Sequence, residues 1–224
     1  MGTLYIIATP IGNMEDVTLR ALRVLKEVDV LLAEDTRVTG KLLARHGIRV
    51  SMKSYHQQSH DGVAKEIIAL LSEGKTLGLV TDAGTPSVAD PGNELIQKIL
   101  ESLPETRIEP IPGVSSLTAA LSVCGFPTNE FVFLGFLPHK KGRQTLLNEL
   151  AEMERTVVLF ESPHRIGKLL EELNERVPER RLFIGREITK LHETHYRGTI
   201  LELKERFERG EILQKGEFVV IFSL

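Results

Sequence analysis

One cysteine, Cys124, stands in 224 residues. A lone thiol excludes an internal disulfide and a zinc cluster built from several cysteines. On an apolar helical stretch it reads as a small core hydrophobe. Positive charge is in no excess either: 28 Lys and Arg face 31 Asp and Glu, for a formal net charge of -3. No global positive field gathers nucleic acid, which argues against DNA as a partner while leaving room for a local basic patch. Long apolar runs are missing as well, since none approaches the ~20 residues that span a bilayer. The opening Met1-Gly2-Thr3-Leu4-Tyr5-Ile6-Ile7-Ala8 lacks the charged leader of a signal peptide and reads as a buried strand. The expectation is a cytoplasmic chain with no membrane segment. Repeats at a 20–50-residue period and low-complexity tracts are also lacking.

What is present is a core-forming composition, 42% hydrophobic, ample for one large domain or two small ones. Thr3–Ala8, Val30–Ala33, Thr76–Val80 and Ile108–Ile111 read as strands. Val17–Glu27, Ala64–Leu71 and Glu94–Leu103 carry apolar residues at helical spacing between them. That alternation implies a largely parallel sheet with helices on both faces. After Gly125-Phe126-Pro127-Thr128-Asn129 the pattern changes. Strand candidates there are Phe131–Leu134, Thr156–Phe160, Leu182–Ile184 and Phe218–Phe222, with helices over Gln144–Met153 and Ile166–Val177. Thr194–Leu203 reads as paired strands, because His195, Tyr196, Thr199 and Ile200 favour a pleated surface. Two α/β halves are expected, residues 1–115 and 116–224, with a single continuous sheet as the alternative.

Ligands of parallel sheets bind beyond the carboxyl ends of strands, and five such segments are rich in small or polar residues. Thr9-Pro10-Ile11-Gly12-Asn13 pairs a stiff exit with a glycine that admits close approach, or is a plain tight turn. Asp82-Ala83-Gly84-Thr85-Pro86-Ser87-Val88-Ala89-Asp90-Pro91-Gly92 offers carboxylates able to accept from both hydroxyls of a ribose. Asp90 reads more simply as a cap for the helix after Pro91. In Pro112-Gly113-Val114-Ser115-Ser116 the serines cap the helix Leu117–Val123, face a ligand, or both. Glu161-Ser162-Pro163-His164-Arg165 fits a helix start capped by Ser162, which leaves Glu161, His164 and Arg165 unexplained. Glu34-Asp35-Thr36-Arg37 is either a solvated helix start or a holder of polar substrate.

Together these segments resemble the tetrapyrrole methylase superfamily. The resemblance is carried by Ala8-Thr9-Pro10-Ile11-Gly12-Asn13, Ala33–Arg37, Val80–Pro86 and Pro112–Ser115. Gly135-Phe136-Leu137-Pro138, Phe160–Arg165 and Gly185-Arg186-Glu187-Ile188-Thr189-Lys190 narrow it to a branch that methylates ribosomal RNA. It implies two α/β domains of the tetrapyrrole methylase type with the cofactor cleft between them, S-adenosylmethionine as cofactor, and usually a homodimer. The implied reaction is 2'-O-methylation of a cytidine ribose in the decoding region of the small subunit, so the partner is small-subunit ribosomal RNA or the subunit itself. The implied cofactor contacts are Pro10, Asp82, Thr85, Val88, Ser115, Ser116, Phe160 and Arg186, with a further one near Phe218. The branch usually continues past Phe218–Phe222 into a small extra domain, and it often carries an acid and an asparagine near Ser54-Tyr55-His56-Gln57-Gln58. A methylase of tetrapyrroles or other small substrates, and a non-enzymatic ligand-binding module, are the competing expectations.

A ribose hydroxyl needs a base to become a good nucleophile, and a base within reach contributes roughly 10²–10⁴-fold. The candidates are Glu161, Asp35, Glu187, His164 and Lys190, the last only if burial lowers its pKa. Glu161 ranks first because it leaves a strand end. Arg37, Arg165 and Arg186 suit phosphate or carboxylate holding. The catalytic set is therefore Glu161, Asp35, Arg165 and Lys190. His139-Lys140-Lys141-Gly142-Arg143 suits an RNA backbone or is a solvated helix start. No metal is expected, and His192 and His195 lack trustworthy ligand spacing.

Overall fold

A computed structural model describes residues 1–56 and 61–223. The chain divides into two compact units, Met1–Ser115 and Ser116–Leu224. The first unit runs β1 (Thr3–Ile7), α1 (Leu19–Glu27), β2 (Val30–Ala33), α2 (Thr36–Arg45), β3 (Ser51–Ser54), α3 (Asp61–Ser72), β4 (Leu77–Val80), α4 (Asn93–Ser102) and β5 (Arg107–Ile111). Its five strands lie in the order β3-β2-β4-β1-β5, and every pairing is parallel.

The two-residue period of a strand sorts the core by face. Leu31, Ala33, Val80, Ile7 and Ile111 pack with Ala21, Val24 and Leu25 of α1 and Leu42 and Leu43 of α2. Leu4, Ile6, Leu32, Leu77 and Leu79 pack with Ile67 and Leu71 of α3 and Leu95 and Ile99 of α4. Consequently β1 and β2 send their chain to one face, and β4, lying between them, sends it to the other. Strand order with that reversal opens crevices at the carboxyl end of β4 on both sides. Gly78 belongs to the same arrangement, since a Cβ there would lie 2.9 Å from both Ile7 Cδ1 and Leu31 Cδ1.

The second unit comprises α5 (Ser116–Cys124), β6 (Phe131–Phe136), α6 (Arg143–Glu152), β7 (Thr156–Glu161), α7 (Ile166–Asn174), β8 (Arg181–Arg186), β9 (Thr194–Thr199), α8 (Ile200–Glu208) and β10 (Phe218–Ser223). The sheet order is β6-β7-β10-β8-β9. In this sheet, among the described residues, only β6 and β7 pair in parallel; β10 and β9 are antiparallel to their neighbours. Val157, Leu159, Leu182, Ile184, Phe218 and Val220 bury one face under Leu147, Leu169, Leu170, Leu173, Ile200 and Leu203 of the helices.

The structure departs from the sequence reading at several points. Thr194–Leu203 is strand only to Thr199. A capping box then starts α8, with the Thr199 hydroxyl accepting from Glu202 N and the Glu202 carboxylate from Thr199 N; this satisfies two orphan helix donors and overrides the β-branched signal. Asp90 does not cap α4, whose N-cap is Gly92 with φ 144°. Ser162 does not cap α7 either; Arg165 occupies that position, while the Ser162 carbonyl accepts from Arg165 N and Ile166 N. Arg143 leaves the basic loop, because it is buried and its guanidinium meets Glu172 through three hydrogen bonds of 2.6 to 3.1 Å. Gln57 and Gln58 lie outside the described residues.

That Arg143–Glu172 pair generates a stability prediction. Removing one partner leaves a charge without its counter-ion in the interior, so Glu172→Leu should cost about 3–5 kcal/mol in urea unfolding. The double change Arg143→Met with Glu172→Leu should recover most of that loss. A single variant as stable as wild type would contradict the arrangement.

Candidate functional site

At the carboxyl edge of the first sheet three loops are tied to one another. Thr9, just past β1, exchanges two backbone hydrogen bonds with Gly84, N to O at 2.9 Å and O to N at 3.1 Å. The Thr9 hydroxyl, itself buried, also donates to the Thr81 carbonyl at 3.1 Å. Past β2, Asp35 N donates to Asp82 Oδ1 at 3.1 Å, and Asp82 N donates to Glu34 Oε2 at 3.4 Å. The loops that leave β1, β2 and β4 are thus one hydrogen-bonded rim. Gly113, past β5, closes it, because a Cβ there would come 2.9 Å from the Ala8 Cβ.

Within the β4 loop the backbone is bent sharply. Ser87 and Ala89 hold φ of 71° and 61°, values costly for L-residues unless the surroundings impose them. Asn93 Nδ2 donates to the Ser87 carbonyl at 3.0 Å, and Ser87 N to the Pro91 carbonyl at 3.3 Å. A Cβ on Gly92 would lie 2.3 Å from Ser87 Oγ, so only glycine fits. The folded loop leaves Asp82 and Val88 exposed and Thr85 half-buried.

Asp35 is the N-cap of α2 and accepts from Arg37 N at 2.8 Å and from its guanidinium at 2.6 Å. Those hydrogen bonds, the guanidinium's first, hold its carboxyl at about 2. Such a carboxylate is a weak proton acceptor, and its place at the N-cap makes Glu34–Arg37 a helix start.

In the second unit the polar residues meet at the ends of β7 and β8. Glu161 is fully buried rather than open at its strand end. Its Oε1 accepts from Ser162 N at 2.7 Å and pairs with Arg165 Nε at 2.9 Å, while Oε2 is buried with no hydrogen-bond partner. Arg165 also donates to the Leu137 carbonyl at 3.0 Å. Arg186, expected to hold phosphate, carboxylate or cofactor, is buried and donates to the carbonyls of Lys215 at 2.5 Å and His192 at 3.1 Å. It therefore ties two loops together.

Lys190 Nζ lies 2.9 Å from Glu187 Oε1 and 2.8 Å from Glu217 Oε2. Burial works against its charge, but the hydrogen bonds to Glu217 and Glu187 outweigh it and raise the ammonium pKa. The condition for a lysine base, a lowered pKa, is not met. Glu187 is lowered in turn: burial opposes its charge, and Lys190 with the Glu217 N–H overcomes that. Glu217 and the Lys215–Gly216 turn belong to this network and escaped the sequence reading, although a glycine between charged residues ahead of the last strand was a signal. Of the expected contacts, Pro10, Asp82, Thr85, Val88 and Ser115 fall in the first unit and Ser116, Phe160 and Arg186 in the second. Among the described residues no cluster of His, Cys, Asp and Glu could hold a metal ion, and no helix is long and apolar enough to cross a membrane.

A family model described as tetrapyrrole (corrin/porphyrin) methylases matches residues 3–204, nearly the whole chain. The chain belongs to the tetrapyrrole methylase family. It is a methyltransferase of that fold. It superimposes on diphthine synthase over 99% of this chain and 90% of that one, with a TM-score of 0.73 at 14% identity. Uroporphyrin-III-C-methyltransferase from Thermus thermophilus gives a TM-score of 0.66 at 25% identity, covering 99% and 94%. Nearer in sequence are proteins named ribosomal RNA small subunit methyltransferase I. The Thermotoga maritima protein is 44% identical, covering 100% of this chain and 99% of its own length. The Synechocystis protein is 45% identical, covering 100% and 79%.

The Lys190 network makes a pH prediction for this tetrapyrrole methylase. A carboxyl lowered on folding stabilises above its free value of 4.5, and that contribution is lost as pH falls through the lower folded value. An ammonium raised on folding stabilises below its free value of 10.5, and that contribution is lost as pH rises through the higher folded value. Lys190→Met should therefore lower the Tm at neutral pH, with the gap to wild type narrowing once pH passes 10.5. Thermal denaturation followed by circular dichroism reads this. A gap that stays constant through that window would contradict it.

Proposed function

We propose that this methyltransferase moves a methyl group from S-adenosylmethionine to the 2'-hydroxyl of a cytidine ribose in the decoding region of small-subunit ribosomal RNA, acting in the cytoplasm as a homodimer. The reading is carried by the 44% identity to the Thermotoga maritima relative along 99% of that protein. The rim of the first sheet fits the donor chemically. Asp82 presents an exposed carboxylate suited to a ribose diol. Gly12, with φ 150°, permits close backbone approach. Thr85 and Val88 offer a hydroxyl and an apolar contact on the β4 loop, Pro10 stiffens the β1 exit, and Ser115 and Ser116 stand at the start of α5.

When bound, the sulfonium supplies an electrophilic methyl group, so the protein's task is to orient and deprotonate the acceptor. Glu161 is assigned as the proton acceptor. One carboxylate oxygen is fixed by Arg165 and Ser162 N, and the other is buried without a donor. A buried oxygen left unsatisfied is costly, and a substrate hydroxyl donating to it would both satisfy it and place the proton for transfer. Asp35 and Glu187 are weakened by their cationic partners, and Lys190 stays charged. His139, Lys140 and Lys141 are exposed and available to RNA phosphates.

Labelled-methyl transfer to small subunits that lack the modification tests this. Wild type should label the ribose of one cytidine. Glu161→Gln should keep its affinity for donor and RNA while kcat falls by about 10²–10⁴-fold. Full rate in the variant removes Glu161 from its role, and labelling of tetrapyrroles but never of ribosomal subunits overturns the substrate.

A further inference from the structure

A bulge in β6 builds a feature that alternation alone forbids. Phe133 pairs with Val158 and Phe136 with Phe160, so β6 advances one residue more than β7 between them. Gly135 sits in that irregular stretch with φ 59°, the conformation a bulge of this kind takes readily in glycine. In a regular strand Phe133 and Phe136, three apart, would point to opposite faces. With the extra residue both join Phe160 on the face turned away from Val157 and Leu159. The Phe133 and Phe160 ring centroids are 4.9 Å apart and those of Phe136 and Phe160 5.8 Å apart, both edge-on.

The outermost ring of this ladder, Phe136, is 51% exposed. Its neighbour is a fixed cation: the Arg165 guanidinium lies 5.9 Å from the ring centroid. Glu161 Oε1 holds Arg165 at 2.9 Å and the Leu137 carbonyl holds it at 3.0 Å, so it cannot swing away cheaply. Directly after Leu137 and Pro138 come the exposed His139, Lys140 and Lys141. The half-wet aromatic face and two lysines lie within the six residues Phe136–Lys141, and the pinned guanidinium at the start of α7 stands beside the ring.

We propose that Phe136, flanked by Arg165, is a stacking platform for an unpaired base of the RNA substrate. The inference rests on the proposed RNA substrate and deepens it. Stacking a base on the ring removes its exposed apolar face from water. Single-stranded RNA is read by such aromatic and guanidinium planes, and the adjacent basic loop gives the attached phosphates their counter-charge. That positive surround favours a polyanion. Phe136 contributes substrate affinity and leaves the chemistry to other residues.

The test uses the full chain with Phe136→Ala and Phe136→Tyr, read by anisotropy of a short end-labelled oligocytidine and by KM and kcat on unmethylated small subunits. Phe136→Ala should weaken oligocytidine binding and raise KM by roughly 5- to 100-fold with kcat nearly unchanged, and Phe136→Tyr should restore both. Affinity for S-adenosylhomocysteine, measured by calorimetry, should be unaffected by either. An alanine variant that binds oligocytidine as wild type does overturns the platform. So does an equal loss of S-adenosylhomocysteine affinity, which would give the ring to the adenine of the donor. A change of oligomeric state with RNA binding intact likewise overturns it. If wild type and Phe136→Ala differ on oligocytidine as expected but wild type methylates no small-subunit RNA, the platform stands and the proposed reaction falls.

Discussion

The exchange of hydrogen bonds between Thr9 and Gly84 is the constraint on which the first unit's edge depends. β1 and β4 are neighbours whose chains depart to opposite faces, so their loops would otherwise diverge and leave a gap with no defined walls. The bridge pins the roots of the two loops together, and the Thr9 hydroxyl on the Thr81 carbonyl removes a buried polar group from the ledger of unsatisfied ones. Asp82 and Asp35 extend the tie to β2. A rim built this way is rigid before any ligand arrives, which reduces the ordering cost of binding.

The second unit spends most of its charge on itself. Arg143 meets Glu172, Arg165 meets Glu161, Arg186 gathers two carbonyls, and Lys190 bridges Glu187 and Glu217. Guanidinium groups that looked available for phosphate are committed to holding loops at the strand ends. Still exposed just past the end of β6 are His139, Lys140 and Lys141, beside the wet ring of Phe136.

Where apolar period and burial agree, the sequence was a faithful guide. The buried runs at β1, β2, β4, β7 and β10 stand where they were read, as do the helices with clear apolar faces. β3 was overlooked because Ser51–Ser54 is an edge strand with mostly exposed residues and no alternation to detect. α2 was read only as a possible helix start at Glu34–Arg37 and its extent was missed, because Thr36, Val38, Thr39 and Gly40 depress helix propensity, although Asp35 caps it and Leu42 and Leu43 bury its inner face. The Thr199-x-x-Glu202 box was present in the sequence but was outvoted by β-branched neighbours. At the candidate site the clusters themselves were legible, whereas pairing between them was not. Glu161 with Arg165 and Asp35 with Arg37 pair within their own segments. Glu217, by contrast, reaches Lys190 only through the pairing of β10 with β8, and the Gly135 bulge changes faces by one residue.

The proposed donor site is the rim around β4, with Asp82 as its carboxylate. Calorimetric titration of S-adenosylhomocysteine into wild type and Asp82→Asn tests that most directly, because asparagine can still accept from Asp35 N while losing the charge. Saturable binding by wild type, weakened about tenfold in the variant with the fold intact, is the predicted result. Equal affinity in the two proteins, or no binding by wild type, would contradict it.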